Sequence, residues 1–206
     1  MARYTFDLEE LMGKTVIDIT MSLDGFIAAP GDVPDVPLGE GGLRLHDWLA
    51  GDRTEVESAM MAESSSGLGA IICGRRTYDN SEQWWGKGRG PAGDIPVFVV
   101  SHRVPPEGIG GEDSLFTFVD DGIESTLKQA KAAAGDGDVC IMGGADVPQQ
   151  FLGAGLVDEV SIHLVPVLFG GGRRLFDNLG TGHRELRPVE VIESTTTTHL
   201  RYRVGR

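Results

Sequence analysis

The sequence has few basic residues for its length. Its 206 residues include 18 Lys and Arg against 31 Asp and Glu, and the net charge at pH 7 is −13. A surface with this excess of negative charge repels polyanions, so the composition disfavours nucleic-acid binding. An anionic ligand must then be held by a local basic patch. The rare clusters of arginine are therefore the first places to look for a binding site.

Long hydrophobic runs are missing, and cysteine is scarce. No apolar stretch approaches the ~20 residues that cross a bilayer, and the first residues lack the apolar run of a secretory signal. We therefore expect no membrane span and a cytoplasmic location. Cys73 and Cys140 each lie in an apolar run, which favours two buried free thiols. No cluster of Cys and His has metal-ligand spacing, so no metal site is predicted.

Two common nucleotide-binding motifs are missing as well. No G-x-G-x-x-G pattern follows a predicted strand, so a Rossmann dinucleotide site is not supported. No G-x-x-x-x-G-K-[ST] pattern occurs, which argues against the phosphate-loop kinases and ATPases. If the protein binds a nucleotide, it must do so through other motifs.

Short apolar runs alternate with helical patterns along most of the chain. The β-branched run from Lys14 to Met21 is typical of a strand, and Thr54 with Glu57 has the capping-box spacing that predicts the start of a helix. Asp121 and Asp146 are the predicted N-caps of two later helices. Further strands are predicted at residues 70–73, 95–100 and 115–119.

The last third of the chain has a different periodicity. Val160, Ile162 and Leu164 alternate with polar residues, and residues 200–204 repeat the pattern, which predicts two half-exposed antiparallel strands. Strand–helix alternation followed by such strands predicts an α/β fold with a mixed sheet flanked by helices. No internal repeat or linker interrupts the pattern, so we expect one domain over residues 1–206.

Three predicted strands end in residues that suit an anionic ligand. Ligands of open α/β sheets gather at the carboxyl ends of strands, where forked arginine donors and the backbone amides of a helix start can hold a phosphate. Ordinary turns and close helix–strand packing are alternative explanations that the residues leave open. The three segments are Gly74-Arg75-Arg76-Thr77, Ser101-His102-Arg103 and Gly143-Gly144-Ala145-Asp146.

Five short motifs follow one another along the chain: MSLDGFIA (21–28), CGRRTY (73–78), VS (100–101), IMGGA (141–145) and LVPVLFGGG (164–172). Their order resembles the dihydrofolate reductase-like superfamily. Within it, the chain is most similar to the C-terminal reductase domain of the bifunctional riboflavin-biosynthesis deaminase-reductase and to its stand-alone bacterial relatives. The resemblance extends from about Lys14 to Val204 and rests on the order of the motifs rather than on any one of them.

The resemblance implies a mostly parallel central sheet with an antiparallel C-terminal strand, and NADPH lying across the strand ends. Thr20 and Ile27 would border the nicotinamide. Gly143 and Gly144 would be the family's glycine pair, often joined by a cis peptide bond, against the pyrophosphate, with Met142, Ala145, Asp146 and Val147 beside it. The residues implied for the 2′-phosphate and the remaining phosphate contacts are Gly74, Arg75, Arg76, Thr77, Ser101, His102 and Arg103.

Hydride transfer must be accompanied by a proton. Asp24 and Asp52 are the candidate catalytic residues, although Asp24-Gly25 is also typical of a plain turn. Dihydrofolate reductases carry a carboxylate shortly after a tryptophan; Asp52 follows Trp48 one position out of register with that pattern. The family's SLDGK motif has a lysine where this chain has Phe26, so the phosphoribosyl substrate of the family is in doubt.

The sequence therefore predicts an NADPH-dependent reductase that transfers hydride to a small pyrimidine-like or pterin-like heterocycle. The resemblance is to 5-amino-6-(5-phosphoribosylamino)uracil reductase. Dihydrofolate reductase itself and a non-catalytic NADP-binding protein on the same fold are the alternatives. Relatives of the riboflavin type commonly pair, so a homodimer is expected.

Overall fold

The computed structural model describes residues 13–51, 53–103, 113–180 and 182–205. Strands and helices alternate along the first three quarters of the chain, and the remainder is mostly strand. In chain order the elements are β1 (Thr15–Ser22), β2 (Phe26–Ala28), a 3₁₀ helix (Gly42–His46), α1 (Asp47–Ala50), α2 (Glu55–Gly67), β3 (Leu68–Gly74), α3 (Arg75–Trp85), β4 (Val97–Val100), β5 (Phe116–Val119), α4 (Ile123–Ala134), β6 (Asp138–Ile141), α5 (Asp146–Gly153), β7 (Glu159–Val165), β8 (Arg173–Arg174), β9 (Leu186–Glu193) and β10 (Thr198–Val204).

An eight-stranded sheet organises these elements, with the strand order β5-β4-β3-β6-β1-β7-β10-β9. The six strands from β5 to β7 are parallel, whereas β10 runs antiparallel to β7 and β9 antiparallel to β10. Strands β2 and β8 form a separate antiparallel pair. The predicted α/β fold, with a mostly parallel sheet and antiparallel C-terminal strands, is confirmed.

The sheet buries a different set of side chains on each face. One face packs against α4 and α5 through a large apolar cluster that includes Ile72, Ile141 and Phe151. The other face carries two smaller clusters, one around Tyr78 of α3 and one around Trp48 of α1. Because the second face is covered in two separate parts, it leaves room for a cavity between them.

Several local predictions are confirmed. Thr54 caps α2 with a complete capping box, in which its side chain accepts a hydrogen bond from the Glu57 amide and the Glu57 carboxylate accepts one from the Thr54 amide. Both cysteines are free thiols as predicted, and Cys73 is fully buried, but Cys140 is only half-buried rather than buried. Burial raises the pKa of Cys73 to about 12, so this thiol is protonated and unreactive at neutral pH.

Two predicted N-caps are wrong. Helix α4 is capped by Gly122, whose φ of 101° favours glycine, and the Asp121 side chain makes no cap. Helix α5 is capped by Ala145, and Asp146 is the first helical residue. Two glycines with positive φ precede Ala145 and turn the chain directly into the helix, so the start of α5 depends on backbone conformation rather than on a side-chain cap.

The prediction that β7 is half-exposed is also wrong. The alternation of apolar and polar residues is real, but six of its seven residues are buried, because β7 lies between β1 and β10 and both of its faces are covered. Its polar residues therefore face the interior. Within the described ranges, no helix is long and apolar enough to cross a membrane.

Candidate active site

A cavity of about 420 Å³ lies on the α1–α3 face of the sheet. Its walls come from β1, β2, β7, the segment after β6, and helices α1, α2 and α3. Seven of the residues predicted from the sequence line it: Thr20, Ile27, Arg76, Thr77, Met142, Gly143 and Gly144. The cavity therefore joins the predicted nicotinamide residues of β1 and β2 to the predicted phosphate residues at the ends of β3 and β6.

The glycine pair is required both by conformation and by packing. Gly143 has a φ of 62° and Gly144 a φ of 70°, which side-chain-bearing residues rarely adopt. A Cβ atom on Gly143 would lie 2.6 Å from Cγ2 of Thr77, and one on Gly144 would lie 3.1 Å from its Oγ1. No cis peptide bond occurs among the described residues, so the pair is joined by a trans bond. The backbone thus lies open to the cavity beside a threonine hydroxyl.

Positive charge in the cavity comes from Arg76 and Arg173. Both guanidinium groups approach Asp32, at 3.8 Å for Arg76 and 2.6 Å for Arg173. One carboxylate between two guanidinium groups leaves one net positive charge. Since the Arg76 side chain is 59% exposed, that charge is available to a phosphate at the cavity wall.

Gly74 and Arg75 are beside the cavity wall rather than on it. Gly74 is the N-cap of α3, and a Cβ at this position would lie 3.2 Å from the Val147 side chain, so α3 and α5 begin close together. Arg75 donates to Asp79 at 2.7 Å and covers the rings of Tyr78 and Phe118. The Arg75 guanidinium is therefore already engaged by neighbours on its own helix and on β5.

The second predicted phosphate segment follows β4, the neighbour of β3. The Ser101 hydroxyl donates to the Arg103 carbonyl at 2.7 Å and accepts from the Arg103 amide at 3.2 Å, which fixes a tight turn. His102 and Arg103 are exposed in this turn. Because Gly74 and Val100 are partners in register, the turn lies at the same edge of the sheet as the start of α3.

Asp24 lies in a setting unlike that of the cavity lining. Its carboxylate accepts hydrogen bonds from the Ser22 hydroxyl at 2.6 Å and from the amides of Gly170 at 2.7 Å and Phe169 at 3.1 Å. The Ser22 bond, together with the two backbone bonds, lowers the pKa of Asp24 to about 2. Asp24 is thus an ionised acceptor that ties the β1–β2 turn to residues 169–170. Its catalytic assignment stays a prediction. Asp52, the second predicted catalytic residue, lies outside the described residues.

The sequence did not predict a group of four polar side chains, three of them buried, that begins in the cavity wall at Asp18. Asp18 Oδ1 lies 3.0 Å from His163 Nε2, the Nδ1 atoms of His163 and His199 lie 2.8 Å apart, and His199 Nε2 lies 3.4 Å from Glu57 Oε1. Trp48 packs against both imidazole rings and donates its indole N–H to Thr20 at 3.3 Å. Asp18, Trp48 and His163 line the cavity.

A signal for these residues was present in the strand patterns. Asp18 in β1 and His163 in β7 are polar residues that each stand between two aliphatic residues of a strand, and His199 in β10 precedes Leu200. Polar residues in such strands commonly face solvent, and the alternation in β7 predicts this for His163. Only the strand order shows that all three face one enclosed region.

Comparison with known proteins assigns the family. Residues 14–200 match the model of the RibD C-terminal domain. The chain belongs to the RibD C-terminal domain family. This membership agrees with the resemblance seen in the order of the motifs.

Two known proteins are similar to this chain over nearly their whole length. The uncharacterized protein YwjB of Bacillus subtilis is 28% identical over 193 residues, covering 92% of this chain and 97% of YwjB. A Shewanella sp. PV-4 structure, provisionally named for riboflavin biosynthesis, is 25% identical with a TM-score of 0.70, covering 94% of this chain and 99% of that one.

The fold also extends to dihydrofolate reductase. The Enterococcus faecalis enzyme, solved in complex with NADP(H), has a TM-score of 0.55 over 95% of this chain and 99% of its own. At 15% identity, this likeness shows a shared fold.

Proposed function

We propose that this protein is an NADPH-dependent reductase that transfers a hydride to the carbon of a C=N or C=O bond in a small pyrimidine-like or pterin-like heterocycle. The observation that carries the proposal is the glycine pair: a positive-φ backbone beside Thr77, opening into a cavity that Arg76, Trp48 and Thr20 also line. Membership of the RibD C-terminal domain family and the NADP(H) complex of a protein with the same fold support it.

The residues present fit a nicotinamide dinucleotide. The open backbone at Gly143 and Gly144 would accept the pyrophosphate, with Arg76 and Thr77 as side-chain donors. Ser101, His102 and Arg103 would take the 2′-phosphate at the neighbouring strand end. Ile27 and Thr20 would border the nicotinamide, whose reduced form supplies a hydride when bound.

The cavity has a largely apolar lining. Trp48, Leu49, Met60 and Met61 line it and would hold a planar ring while excluding water. Phe26, at the position of the family's lysine, is 4% exposed, and the Arg174 guanidinium covers its ring at 4.4 Å. Neither residue is among the described residues that line the cavity. We therefore propose a heterocycle without the phosphoribosyl group.

Thermal unfolding with NADPH and with NADH at equal concentration tests the cofactor. A ligand that binds only the folded state stabilises it by ~2.7 kcal/mol at a hundred times its dissociation constant. We expect a larger rise of the midpoint with NADPH than with NADH, and we expect Arg103→Gln to reduce the NADPH shift alone. Arg187→Gln, an exposed arginine on β9, is the matched control. No shift with either dinucleotide would overturn the proposal.

The same proposal includes a single reductase domain over residues 1–206, located in the cytoplasm and paired as a homodimer. The exposed edge of the sheet supports the pairing. Strand β9 has only β10 as a partner in the sheet of the described residues, and Leu186, Val189 and Val191 on it are 40–58% exposed.

A further inference from the structure

Four polar side chains form a continuous chain from the cavity into the protein interior. Asp18 at the cavity end is 32% exposed, whereas His163, His199 and Glu57 are 8%, 4% and 3% exposed. The three contacts between neighbours measure 3.0, 2.8 and 3.4 Å. The chain crosses β1, β7 and β10 and ends at the first turn of α2. Its accessible end is therefore Asp18, and its other end is closed off from solvent.

The three contacts determine how many protons these four side chains must share to be fully hydrogen-bonded. Each of the three contacts joins two atoms that can both accept, so each needs one proton between them. Two neutral imidazole rings supply two protons, and two carboxylates supply none. A fully hydrogen-bonded chain therefore holds one proton more than two neutral histidines provide, and its net charge is −1.

The environment of Glu57 indicates where the extra proton lies. Burial raises the pKa of Glu57, but hydrogen bonds from Ser194, Thr54 and His199 outweigh it and hold the pKa at about 2, so this end is ionised. Burial, together with the neighbouring His163, lowers the pKa of His199. His199 then donates from Nε2 to Glu57 and accepts at Nδ1 from His163. The remaining proton lies in the contact between Asp18 and His163, at the cavity wall.

We propose that the Asp18–His163 contact is the proton source for the reduction, with Asp18 as the donor and His163, His199 and Glu57 as positioning residues that hold the extra proton. This inference rests on the proposed reductase function. It places the proton source in the wall of the cavity that the glycine pair also lines.

The proposed step is balanced in atoms and electrons. Reduction of a C=N bond adds a hydride, with two electrons, to carbon and a proton to nitrogen; the hydride comes from NADPH, which becomes NADP⁺. The proton leaves the Asp18–His163 contact, and an N–H bond forms on the substrate. One proton taken up from solvent then restores the third proton of the chain.

Other titratable and charged groups line the same cavity. Cys140 of β6, His46 of the 3₁₀ helix, and the Arg76–Asp32–Arg173 group line the same cavity as Asp18. Burial raises the pKa of Cys140 well above its usual value, and the negative charge of Asp18 adds to this effect, so the thiol stays protonated. A pH profile of the protein must therefore be assigned with residue-specific measurements.

Nuclear magnetic resonance of protein labelled with ¹⁵N-histidine and ¹³C-aspartate tests the inference without substrate or cofactor. At pH 7 we expect the extra proton to be visible either as a doubly protonated His163 or as a protonated Asp18 carboxyl group. Asp18→Asn should abolish it and leave both histidines neutral, because the asparagine amide donates to His163 Nε2. Asp32→Asn, which removes another carboxylate from the same cavity, should leave it unchanged.

The possible outcomes separate this inference from the proposed function. An ionised Asp18 beside two neutral histidines in the wild-type protein would overturn the inference, even if NADPH binds. Failure to bind NADPH would overturn the reductase proposal, whereas the NMR measurement would still show whether the Asp18–His163 contact holds the extra proton. Asp18→Asn must retain the NADPH-induced rise in unfolding temperature, which shows that the variant folds and binds cofactor.

Turnover of 7,8-dihydrofolate as a probe adds a kinetic measurement if the wild-type protein reduces it. We expect Asp18→Asn to lower kcat by about 10²-fold, the usual contribution of a general acid. Glu57→Gln keeps the capping box, because Gln serves at the same helix position as Glu, but removes the charge. It should shift the pH profile of kcat and leave NADPH binding unchanged. An unshifted profile would exclude Glu57 as a positioning residue, and unchanged turnover in Asp18→Asn would overturn the inference.

Discussion

At the scale of single residues, Asp24 and Asp18 lie six positions apart in the β1–β2 region but have different hydrogen-bond partners. Asp24 accepts hydrogen bonds from a hydroxyl and two amides, and these donors hold it in the ionised form. Asp18 faces a ring nitrogen that can itself accept, so a proton must lie between them. The first arrangement suits a structural tie and the second suits proton transfer.

Replacing Asp24 by Asn tests its structural role. The asparagine NH₂ group would face the Ser22 hydroxyl or the backbone amides of residues 169–170, which are themselves donors. We therefore expect the variant to have a lower free energy of unfolding at pH 7. Because the folded-state pKa of Asp24, about 2, lies below its usual 3.8, the ionised form contributes stability above pH 3.8 that is lost as the pH falls through about 2. The difference between wild type and variant should shrink over that window in urea unfolding.

The exposed Asp120, just after β5, provides a matched control. Asp120→Asn should leave the free energy of unfolding nearly unchanged at both ends of the window. If Asp24→Asn loses turnover but keeps full stability, Asp24 is the proton donor and its structural role is minor.

At the scale of elements, helix α2 has two connected functions. Its capping box fixes the first turn, and the same Glu57 that completes the box accepts from His199 at the closed end of the polar chain. The start of the helix therefore sets the position of the last carboxylate. A capping motif that in the sequence marks only the start of a helix here also positions a residue of the candidate site.

Thr54→Ala should destabilise the protein by about 1 kcal/mol, the usual cost of losing an N-cap side chain. Thr54→Ser retains the hydroxyl and should cost much less. Chemical unfolding of the two variants at pH 7 measures the difference. Equal stability of the alanine and serine variants would show that the capping box contributes nothing measurable here.

At the scale of the whole molecule, the two edge strands of the sheet in the described residues are β5 and β9, and β9 carries the exposed aliphatic side chains. Strand β9 is the last strand in the order, and seven of its eight residues are exposed. Unpaired strand edges with exposed aliphatic side chains are a ready surface for another chain. This surface is the one we expect to pair in the proposed homodimer.

Sedimentation velocity tests the pairing. We expect a dimer for the wild-type protein and a shift to monomer for Val191→Glu, because Val191 is 58% exposed on β9 and a buried carboxylate would oppose association. Val56→Glu changes a similarly exposed valine on α2 and should leave the dimer intact. A wild-type monomer at all concentrations would exclude the homodimer, and a dimeric Val191→Glu variant would place the interface elsewhere.

The sequence alone determined the features that depend on neighbouring residues. The strands predicted near residues 14–21, 70–73, 95–100 and 115–119 and the capping box at Thr54 follow from local pattern, and the order of short motifs was enough to recognise the family. The N-caps of α4 and α5 could not be predicted in this way, because glycines with positive φ set the chain direction there: Gly122 is the cap of α4, and Gly143 and Gly144 precede the cap of α5.

Only the tertiary structure decided which polar residues meet. Asp18 and His163 are 145 residues apart in sequence, and Glu57 and His199 are 142 apart, yet each pair is in contact. Strand order brings β1, β7 and β10 side by side, and α1 and α2 then cover the face that carries their polar residues. A period-two pattern shows that a strand has two different faces, but whether the polar face meets solvent or an enclosed cavity depends on what packs against it.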